Sequence, residues 1–241
     1  MKYRLTDETK NLGEVILHRI ECVNAFAGVE VGDKGGWIEK ESNLSQTGNA
    51  WVYDNAQVWG DAQVYGNAQV YGNAQVYDNA QVYDNARVHG DAWVYGNAQV
   101  YGNAQVYDNA QVYDNARVHG DAWVYGNAWV YGNAQVYGNA QVYDNARVHD
   151  NARVHGDAWV YGDAWVCGNA KISRNSDYIV FKNNFSSGRY FTWTRSNNMW
   201  TVGCFHGTGE QLIEKARQDN EDKARRYALY VKLVKDLQEI E

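Results

Sequence analysis

The chain has 241 residues, a formal net charge of −7, 23 glycines and no proline. Its bias toward Gly, Asn, Ala, Val and Tyr is typical of many short strands separated by turns, which argues against a helical bundle. It has neither the roughly 18 consecutive apolar residues of a membrane span nor an N-terminal signal core, so we expect a cytoplasmic protein. Its cysteines, Cys22, Cys167 and Cys204, lack CxxC spacing, which predicts neither a disulfide framework nor a zinc site.

Residues 1–50 have the pattern of a small N-terminal β cap. The segments YRLT, EVILHRIECV and GVEVGDKGGWIEKESNLSQTGNAWV predict short strands and a turn that lead into the repeats that follow. A repeat array needs such a cap because its first coil would otherwise expose strand edges and core.

A six-residue repeat dominates the chain from Val52 onward. Valine recurs at every sixth position as far as Val166, Ile172 continues the series, and alanine follows four residues after each valine. In the unit V-Y-G-N-A-Q we expect Ala-Gln-Val-Tyr to form a strand and the Gly-Asn, Asp-Asn or Gly-Asp pair to form a turn. One hexad buries only on the order of 2 kcal/mol, so stability must come from stacked coils. Three hexads per coil predict about seven coils in a rod roughly 33 Å long.

The aliphatic first position and small fifth position of this unit resemble the hexapeptide-repeat, left-handed β-helix superfamily. The resemblance implies a left-handed triangular parallel β-helix, an all-β solenoid, over residues 51–175, here called the rod, and it implies trimers. The stretch GDKGGWIEKESNLSQTGNAWVYDNA also resembles the opening of a family of bacterial and phage hexapeptide-repeat proteins, some of them labelled acyltransferases.

A coil of 18 residues aligns every eighteenth side chain, so the residues that follow the valines form one aromatic column on each face. The column of the first face is Tyr53, Tyr71, His89, Tyr107, Tyr125, Tyr143 and Tyr161. The column of the second face is Trp59, Tyr77, Tyr95, Tyr113, Tyr131, His149 and Cys167. The column of the third face is Tyr65, Tyr83, Tyr101, His119, Tyr137 and His155.

Three interpretations of these columns remain open. Stacked rings stabilise a solenoid by themselves, exposed Tyr and Trp can form a homo-oligomer interface, and flat rings can bind carbohydrate. For self-association, with a trimer favoured, the candidate interface residues all lie on the second face. They are Tyr77, Trp93, Tyr95, Tyr113, Trp129, Tyr131 and Trp165.

The charge of the rod and the spacing of its histidines argue against nucleic-acid binding and metal binding. Twelve Asp against four Arg give residues 51–170 a net charge of −8, a poor surface for nucleic acid. His119 and His155 share a face but lie two coils, roughly 9.6 Å, apart, and His89 lies on another face, so these side chains cannot hold one ion. We therefore predict no metal ligand, no cofactor and no catalytic residue.

Residues 176–241, here called the C-terminal module, depart from the repeat. YIVFK, RYFTWTR and MWTVGCF predict three antiparallel strands joined by NNFSSG and SNN turns, and GTGEQLIEKARQDN and EDKARRYALYVKLVKDLQEI predict helices. The apolar stripe of the last helix is expected at Leu229, Val231, Leu233, Val234, Leu237 and Ile240. The segment SDYIVFKNNFSSGRYFTWTRSNNMWTVGCFHGTGEQLIEKA resembles a module attached to repeat proteins of phages and their hosts.

The module also carries the candidate ligand site. Five basic residues against Asp177 give residues 171–207 a net charge of +4. Cations and flat rings near a turn, followed by a Gly-Thr-Gly helix start, can bind an anion or a nucleotide. The candidates are Arg189, Trp193, Arg195, Trp200 and His206. The alternative is a small core of Tyr190, Phe191 and Trp193 with arginines on its solvent side.

The preferred function is a non-catalytic scaffold of phage or mobile-element origin that presents the C-terminal module to a host protein or a nucleotide-like ligand, for example in counter-defence. The resemblance offers an alternative, an acyl-CoA-dependent acyltransferase with an inter-subunit active site. Such enzymes usually carry a catalytic His on a projecting loop, whereas no insertion interrupts the hexads here. DNA mimicry by the rod is a third hypothesis, which the dilution of Asp by Asn disfavours.

Overall fold

The computed structural model describes residues 1–185 and 188–240, and it begins with three N-terminal strands. They are β1 (Tyr3–Leu12), β2 (Val15–Cys22) and β3 (Lys34–Ile38), followed by a short 3-10 helix at Glu41–Asn43. The three strands pair antiparallel in chain order. β1 extends well beyond the predicted YRLT segment, because the polar residues that follow it continue the pairing with β2.

The rod is built from 21 strands of two residues, each ending at the valine or isoleucine of a hexad. In chain order β4 to β24 are Trp51–Val52, Gln57–Val58, Gln63–Val64, Gln69–Val70, Gln75–Val76, Gln81–Val82, Arg87–Val88, Trp93–Val94, Gln99–Val100, Gln105–Val106, Gln111–Val112, Arg117–Val118, Trp123–Val124, Trp129–Val130, Gln135–Val136, Gln141–Val142, Arg147–Val148, Arg153–Val154, Trp159–Val160, Trp165–Val166 and Lys171–Ile172. The strands have two residues rather than the expected four, because Ala and Tyr already turn toward the corners. The Ala carbonyl groups and the Tyr N–H groups still form hydrogen bonds with adjacent coils.

Every third strand lies on the same face, which confirms the predicted three-sided parallel β-solenoid. The first face runs from β4 to β22 and the third from β6 to β24, with seven strands each. The second face runs from β5 to β23 and continues through β3, β2 and β1 into a sheet of ten strands. β3 beside β5 and Leu44 beside Val64 add a coil before the first hexad, so the solenoid has about eight turns.

The core and corners of the rod follow the hexad. The repeat valines and alanines are all buried, at 0–1% exposure. Glycine or aspartate starts each corner at positive φ, for example 68° at Gly96 and 57° at Asp78. An L-residue is strained there, and Asp78 offsets this by accepting a hydrogen bond from the N–H of Gly96 in the next coil, 3.2 Å away. The other corner aspartates at positive φ repeat this bond.

The aromatic columns predicted from the 18-residue coil are confirmed. On the second face, Tyr77, Tyr95 and Tyr113 stack with ring centroids 4.9 Å apart and nearly parallel planes. The same stacking continues through Tyr131 to His149. Since the rings cover one another, most of these tyrosines are only partly exposed, whereas Trp93 is 39% exposed.

The described residues of the C-terminal module, 176–185 and 188–240, form four strands and two helices. The strands are β25 (Tyr178–Lys182), β26 (Tyr190–Thr194), β27 (Met199–Val202) and β28 (Phe205–Gly207), antiparallel in chain order after a 3-10 helix at Asn175–Asp177. The predicted strand MWTVGCF divides into β27 and β28, because Gly203 has a φ of 58° and reverses the chain. The predicted NNFSSG turn includes residues 186–187, which lie outside the described residues.

Helices α1 (Gly209–Asp219) and α2 (Glu221–Gln238) pack on one side of this sheet. The expected apolar stripe of α2 is wrong in part, since Val231 and Val234 are buried but Leu229 is 69% exposed. The sheet instead contacts a face that begins one turn earlier, at Ala224 and Tyr227. Leu233, Leu237 and Ile240 are also exposed. In the described part of the chain, no helix is long and apolar enough to cross a membrane.

Candidate functional site

The last coil of the rod is completed by side chains of the chain that follows it. In earlier coils the N–H of the residue before each valine donates to an alanine carbonyl of the next coil, as Arg147 does to Ala164. The last coil has no such neighbour. Its three equivalent N–H groups donate to side-chain oxygens instead: Trp159 to Asn175, Trp165 to Thr192 and Lys171 to Ser196, at 2.6–2.9 Å. The bonds to Thr192 and Ser196 hold the C-terminal module against the end of the rod.

The two sides of the C-terminal sheet differ in chemistry because side chains alternate along its strands. Phe191 and Trp193 of β26 and Trp200 of β27 point toward α1 and α2 and form the core of the module. Thr192 and Thr201, which are paired across β26 and β27, contact the rod instead. β26 and β27 therefore meet the rod through hydroxyl groups, whereas Tyr178 and Val180 of β25 pack against the core of the rod.

The five predicted ligand residues do not converge, because this alternation sends them to different places. Trp193 is 0% and Trp200 2% exposed, so neither indole can stack on a ligand, and that expectation is revised. The indole N–H of Trp193 donates to Asn198 at 3.0 Å. Arg195 is partly buried, and its backbone N–H donates to Asp177. The alternative of a small aromatic core describes Phe191 and Trp193 correctly.

Arg189 lies at a cavity of about 420 Å³ between the rod and the C-terminal module, which we call the junction cavity. Its lining residues are Asn145, Arg147, Asp163, Trp165, Arg189, Tyr190, Gly203 and Cys204. Two guanidinium groups, one carboxylate and two flat rings thus surround one space. Arg189 and Cys204 also line a neighbouring cavity of about 270 Å³ against α1 and α2.

Arg147 occupies an unusual position on the second face. The column before the valines reads Gln57, Gln75, Trp93, Gln111, Trp129, Arg147 and Trp165. The guanidinium of Arg147 is therefore sandwiched between two indole rings, 4.5 Å from the centroid of Trp129 and 4.6 Å from that of Trp165. Cation–π contacts on both faces fix the orientation of the charge, and a guanidinium stacked in this way keeps its N–H donors at its edge, where a ligand can be bound. The candidate interface residues Trp129 and Trp165 are thus engaged with Arg147.

His206 belongs to a different group of side chains at the same junction. Its Nδ1 lies 3.2 Å from Sγ of Cys167 and 3.1 Å from Oγ1 of Thr201. Cys167 is the last residue of the second-face column, and His149 precedes it by one coil. Donor atoms of His149, Asp150 and Cys167 all lie within 4.8 Å of one another. We call His149, Asp150, Cys167 and His206 the junction cluster.

The surroundings of the junction cluster shift the pKa values of its members. Burial raises the pKa of the Cys167 thiol, although the hydrogen bond with Thr201 opposes this. Burial also lowers the pKa of His206, and Asp150 counteracts it. For Asp150 burial acts upward, but hydrogen bonds from Gly168 and His149 hold its pKa below the usual range. The thiol form of Cys167 is therefore favoured.

Arg147, His149, Asp150 and Cys167 were missed as site residues by sequence reasoning. The spacing of His89, His119 and His155 was considered for metal binding, but that of His149 was not. The 18-residue columns already placed His149 directly before Cys167. The missing information was His206, whose approach to this column depends on how the C-terminal sheet docks.

The fold and junction together define a β-solenoid repeat protein with a capping module at its C-terminal end. A model of the YdcK β-solenoid repeat matches residues 62–78, 80–96, 104–119, 110–126, 122–138, 134–149 and 140–156, all within the rod. The chain is also similar to the uncharacterized acetyltransferase YdcK of Escherichia coli (strain K12), with 38% identity over 61 residues. That similarity covers 22% of this chain and 19% of the length of the relative.

Proposed function

We propose that the chain is a cytoplasmic, non-catalytic binding scaffold whose junction cavity takes a planar, anionic ligand of the nucleotide class. The observation that carries the proposal is the guanidinium of Arg147, which is held between Trp129 and Trp165 at a cavity also lined by Arg189. The resemblance of the C-terminal module to modules of phages and their hosts supports an origin in a phage or mobile element.

The charge distribution favours an anion at this end of the rod. Twelve Asp against four Arg make residues 51–170 acidic, whereas residues 171–207 carry a net charge of +4. An arginine fork pairs with phosphate through two parallel N–H groups, and the rings on either side of Arg147 reduce the entropy lost on binding. Phosphate is therefore repelled along the rod and attracted at the junction cavity.

The remaining lining groups suit a flat, hydrogen-bonding ligand. Trp165 and Tyr190 are partly exposed and offer ring surface. Asp163 and Asn145 can accept hydrogen bonds from amino or hydroxyl groups, which a nucleoside provides. A volume of about 420 Å³ lies within the roughly 300–1,000 Å³ of small-molecule sites. Among the described residues that line the cavity there is no histidine and one carboxylate, which supports binding rather than acid–base chemistry.

The test is calorimetric titration of the full chain with a nucleoside triphosphate, the corresponding monophosphate and inorganic phosphate. Arg147→Gln restores the residue of neighbouring coils at this position, so the rod should keep its fold. We expect it to weaken nucleotide binding by about 10–100-fold, the effect of losing a charged hydrogen bond.

Arg153→Gln is the matched control, because Arg153 starts the next hexad but lies on the third face, outside the junction cavity. It should leave the affinity unchanged. Equal losses in both variants would indicate a general charge effect, and the absence of binding by any of the three anions would overturn the proposal.

An acyltransferase is the second candidate, because the similar E. coli protein is called an acetyltransferase. An inter-subunit active site would require a homo-oligomer with acetyl-CoA bound between rods. The measurement is acetyl transfer to a panel of amines and alcohols at saturating acetyl-CoA. We expect no thiol release above the rate without protein, and turnover that persists in Arg147→Gln would favour the enzyme instead.

Self-association through the second face is a separate proposal. The partly exposed column Tyr77, Tyr95, Tyr113 and Tyr131, with Trp93 beside it, forms an aromatic strip that is largely free of charge. Light scattering on the full chain should give the mass of a trimer, and Trp93→Arg should dissociate it. If the wild-type chain is a monomer, self-association is wrong and the role of the aromatic columns is to stabilise the rod.

A further inference from the structure

The junction cluster joins side chains from two coils of the rod and from the C-terminal sheet. His149 is the sixth member of the second-face column, and Asp150 follows it at the corner of the coil. Cys167 is the next member of the same column, and His206 belongs to β28. Cys167 is 3% exposed, and its Sγ contacts both Thr201 and His206. The cluster is separate from the junction cavity, whose lining includes none of these four residues.

The aromatic column ends at this point, which is the first indication of a specific role. From Trp59 to His149 every member stacks on the one before it, and the ring of His149 stacks on Tyr131 at 4.8 Å. A tyrosine at position 167 would continue the stack, but a thiol occupies the position. The place next to the thiol is taken by the imidazole of His206, brought by another segment of the chain.

A glycine makes room for that imidazole. A Cβ at Gly168 would lie 2.9 Å from Nε2 of His206, so any larger residue would displace the ring. Gly168 also donates its N–H to Oδ2 of Asp150 at 3.1 Å, and Nδ1 of His149 lies 3.3 Å from the same oxygen. The backbone thus holds the carboxylate of Asp150 beside His149 and the thiol of Cys167.

We propose that His149, Asp150, Cys167 and His206 bind a zinc-class divalent cation that clamps the C-terminal module to the rod. One sulfur, two imidazole nitrogens and one carboxylate oxygen are a donor set suited to Zn²⁺. Around a tetrahedral ion with bonds of about 2.0–2.3 Å, neighbouring donors lie roughly 3.3–3.8 Å apart. Sγ of Cys167 and Nδ1 of His206 are 3.2 Å apart, and the donor atoms of His149, Asp150 and Cys167 lie within 4.8 Å of one another. Cys167 is thus the donor that the group on the rod shares with the imidazole of His206, and binding requires the four side chains to close around the ion.

The geometry favours this role over a nucleophilic cysteine and over a simple hydrogen-bond cluster. A nucleophile must be reached by its substrate, but Cys167 is almost completely buried. Hydrogen bonding alone explains why an aspartate occupies position 150, since every corner aspartate at positive φ accepts a hydrogen bond from the glycine of the next coil. It does not require a thiol and two histidines beside that carboxylate.

The experiment uses the full chain, stripped of metal with a chelator and titrated with Co²⁺ as a spectroscopic substitute for Zn²⁺. We expect one equivalent of Co²⁺ to produce thiolate-to-metal charge-transfer absorption, and Zn²⁺ to displace it and raise the melting temperature. Cys167→Ser should abolish the charge-transfer band, whereas Cys204→Ser, which changes an exposed thiol outside the cluster, should retain it.

His149→Tyr provides a variant that should fold, because tyrosine is the usual residue of the column and would stack on Tyr131. It should weaken Co²⁺ binding by more than the roughly 10–100-fold that changes beyond the ligand shell cause. His119→Tyr makes the same change in the third-face column and should leave binding unchanged. No charge-transfer band in the wild-type chain, or a band that survives in both Cys167→Ser and His149→Tyr, would overturn the proposal.

Discussion

The rod and the C-terminal module use aromatic residues in opposite ways. In the rod, tyrosines lie outside a core of valine and alanine and cover one another by stacking, so most are half-buried and each has many equivalents. In the module, Phe191, Trp193 and Trp200 are inside, and each fills a volume that no other residue can fill. The stability of the rod is therefore spread over many small contributions, whereas the module depends on a few large ones.

The largest expected effect is the loss of one indole from the module. Trp193→Ala should lower the free energy of unfolding by about 3–5 kcal/mol, because it removes a fully buried ring and leaves a cavity. Trp123→Gln on the first face of the rod should change it by less than about 0.5 kcal/mol, since Gln105 and Gln141 occupy the neighbouring positions of the same column. Urea unfolding followed by circular dichroism measures both, and similar losses would contradict the proposed difference.

Corner glycines should show the next largest effect. Gly96→Ala places a Cβ 2.9 Å from the backbone nitrogen of Asp114 in the next coil, at a φ of 68°. Strain in this region costs roughly 1–2 kcal/mol, and the clash adds to it, so we expect a loss of more than about 2 kcal/mol in urea unfolding. Gly162→Ala has a similar φ but nothing within 4 Å, so only the strain should remain. Equal losses would show that coil stacking imposes no steric limit at the corners.

The side-chain hydrogen bond that Thr192 accepts in place of a further coil should contribute less to the free energy of unfolding. Thr192→Val removes the acceptor for the N–H of Trp165 and should cost about 1–2 kcal/mol, within the range for an unsatisfied buried donor. Thr192→Ser keeps the hydroxyl and should recover most of that loss. Thermal unfolding of the two variants tests this, and a Val variant as stable as wild type would mean that water replaces the threonine.

The smallest effect per residue is expected from the tyrosines of the rod at alkaline pH. Burial, followed by repulsion from a neighbouring tyrosine, raises the pKa of Tyr77 and of Tyr107 to about 12. Unfolded tyrosine ionises near pH 10, so the unfolded chain binds fewer protons above that pH. Their contribution to stability is complete below pH 10 and should be lost as the pH rises from about 10 to 12.

Urea midpoints at several pH values from 9 to 11.5, together with phenolate absorbance, measure this alkaline loss. Tyr77→Phe should reduce the slope of stability against pH and preserve the fold. A slope unchanged in the variant would assign the pH dependence to other groups.

Much of the rod could be predicted because its constraints are local and repeated. The hexad spacing identified the inward Val and Ala, the corner residues and the stacked columns, each of which depends on residues 6 or 18 positions apart. The added coil formed by β3 escaped prediction because Trp37 and Ile38 pair with β5 without carrying the hexad. The split of the third predicted strand was missed because Gly203 also fits within a strand.

The candidate site could be predicted only in part. Arg189 and His206 were both named from composition, but they lie in different places, and Trp193 and Trp200 are buried. In a short antiparallel sheet, alternate residues face opposite sides. Which side faces the rod and which faces the helices depends on how the sheet docks, and this is not encoded in the alternation. A segment that places Arg, Trp and His close in sequence therefore does not place them close in space.

By itself, the sequence determined the solenoid, because each hexad repeats the same burial and turn preferences and coils can stack only in register. It also determined which residues share a column, including His149 and Cys167. The tertiary structure alone decided that Thr192 and Thr201 face the rod, that Arg147 and Arg189 line one cavity, and that His206 reaches Cys167. These contacts join positions 27 to 42 residues apart through the docking of one sheet, a global packing choice that no local pattern encodes.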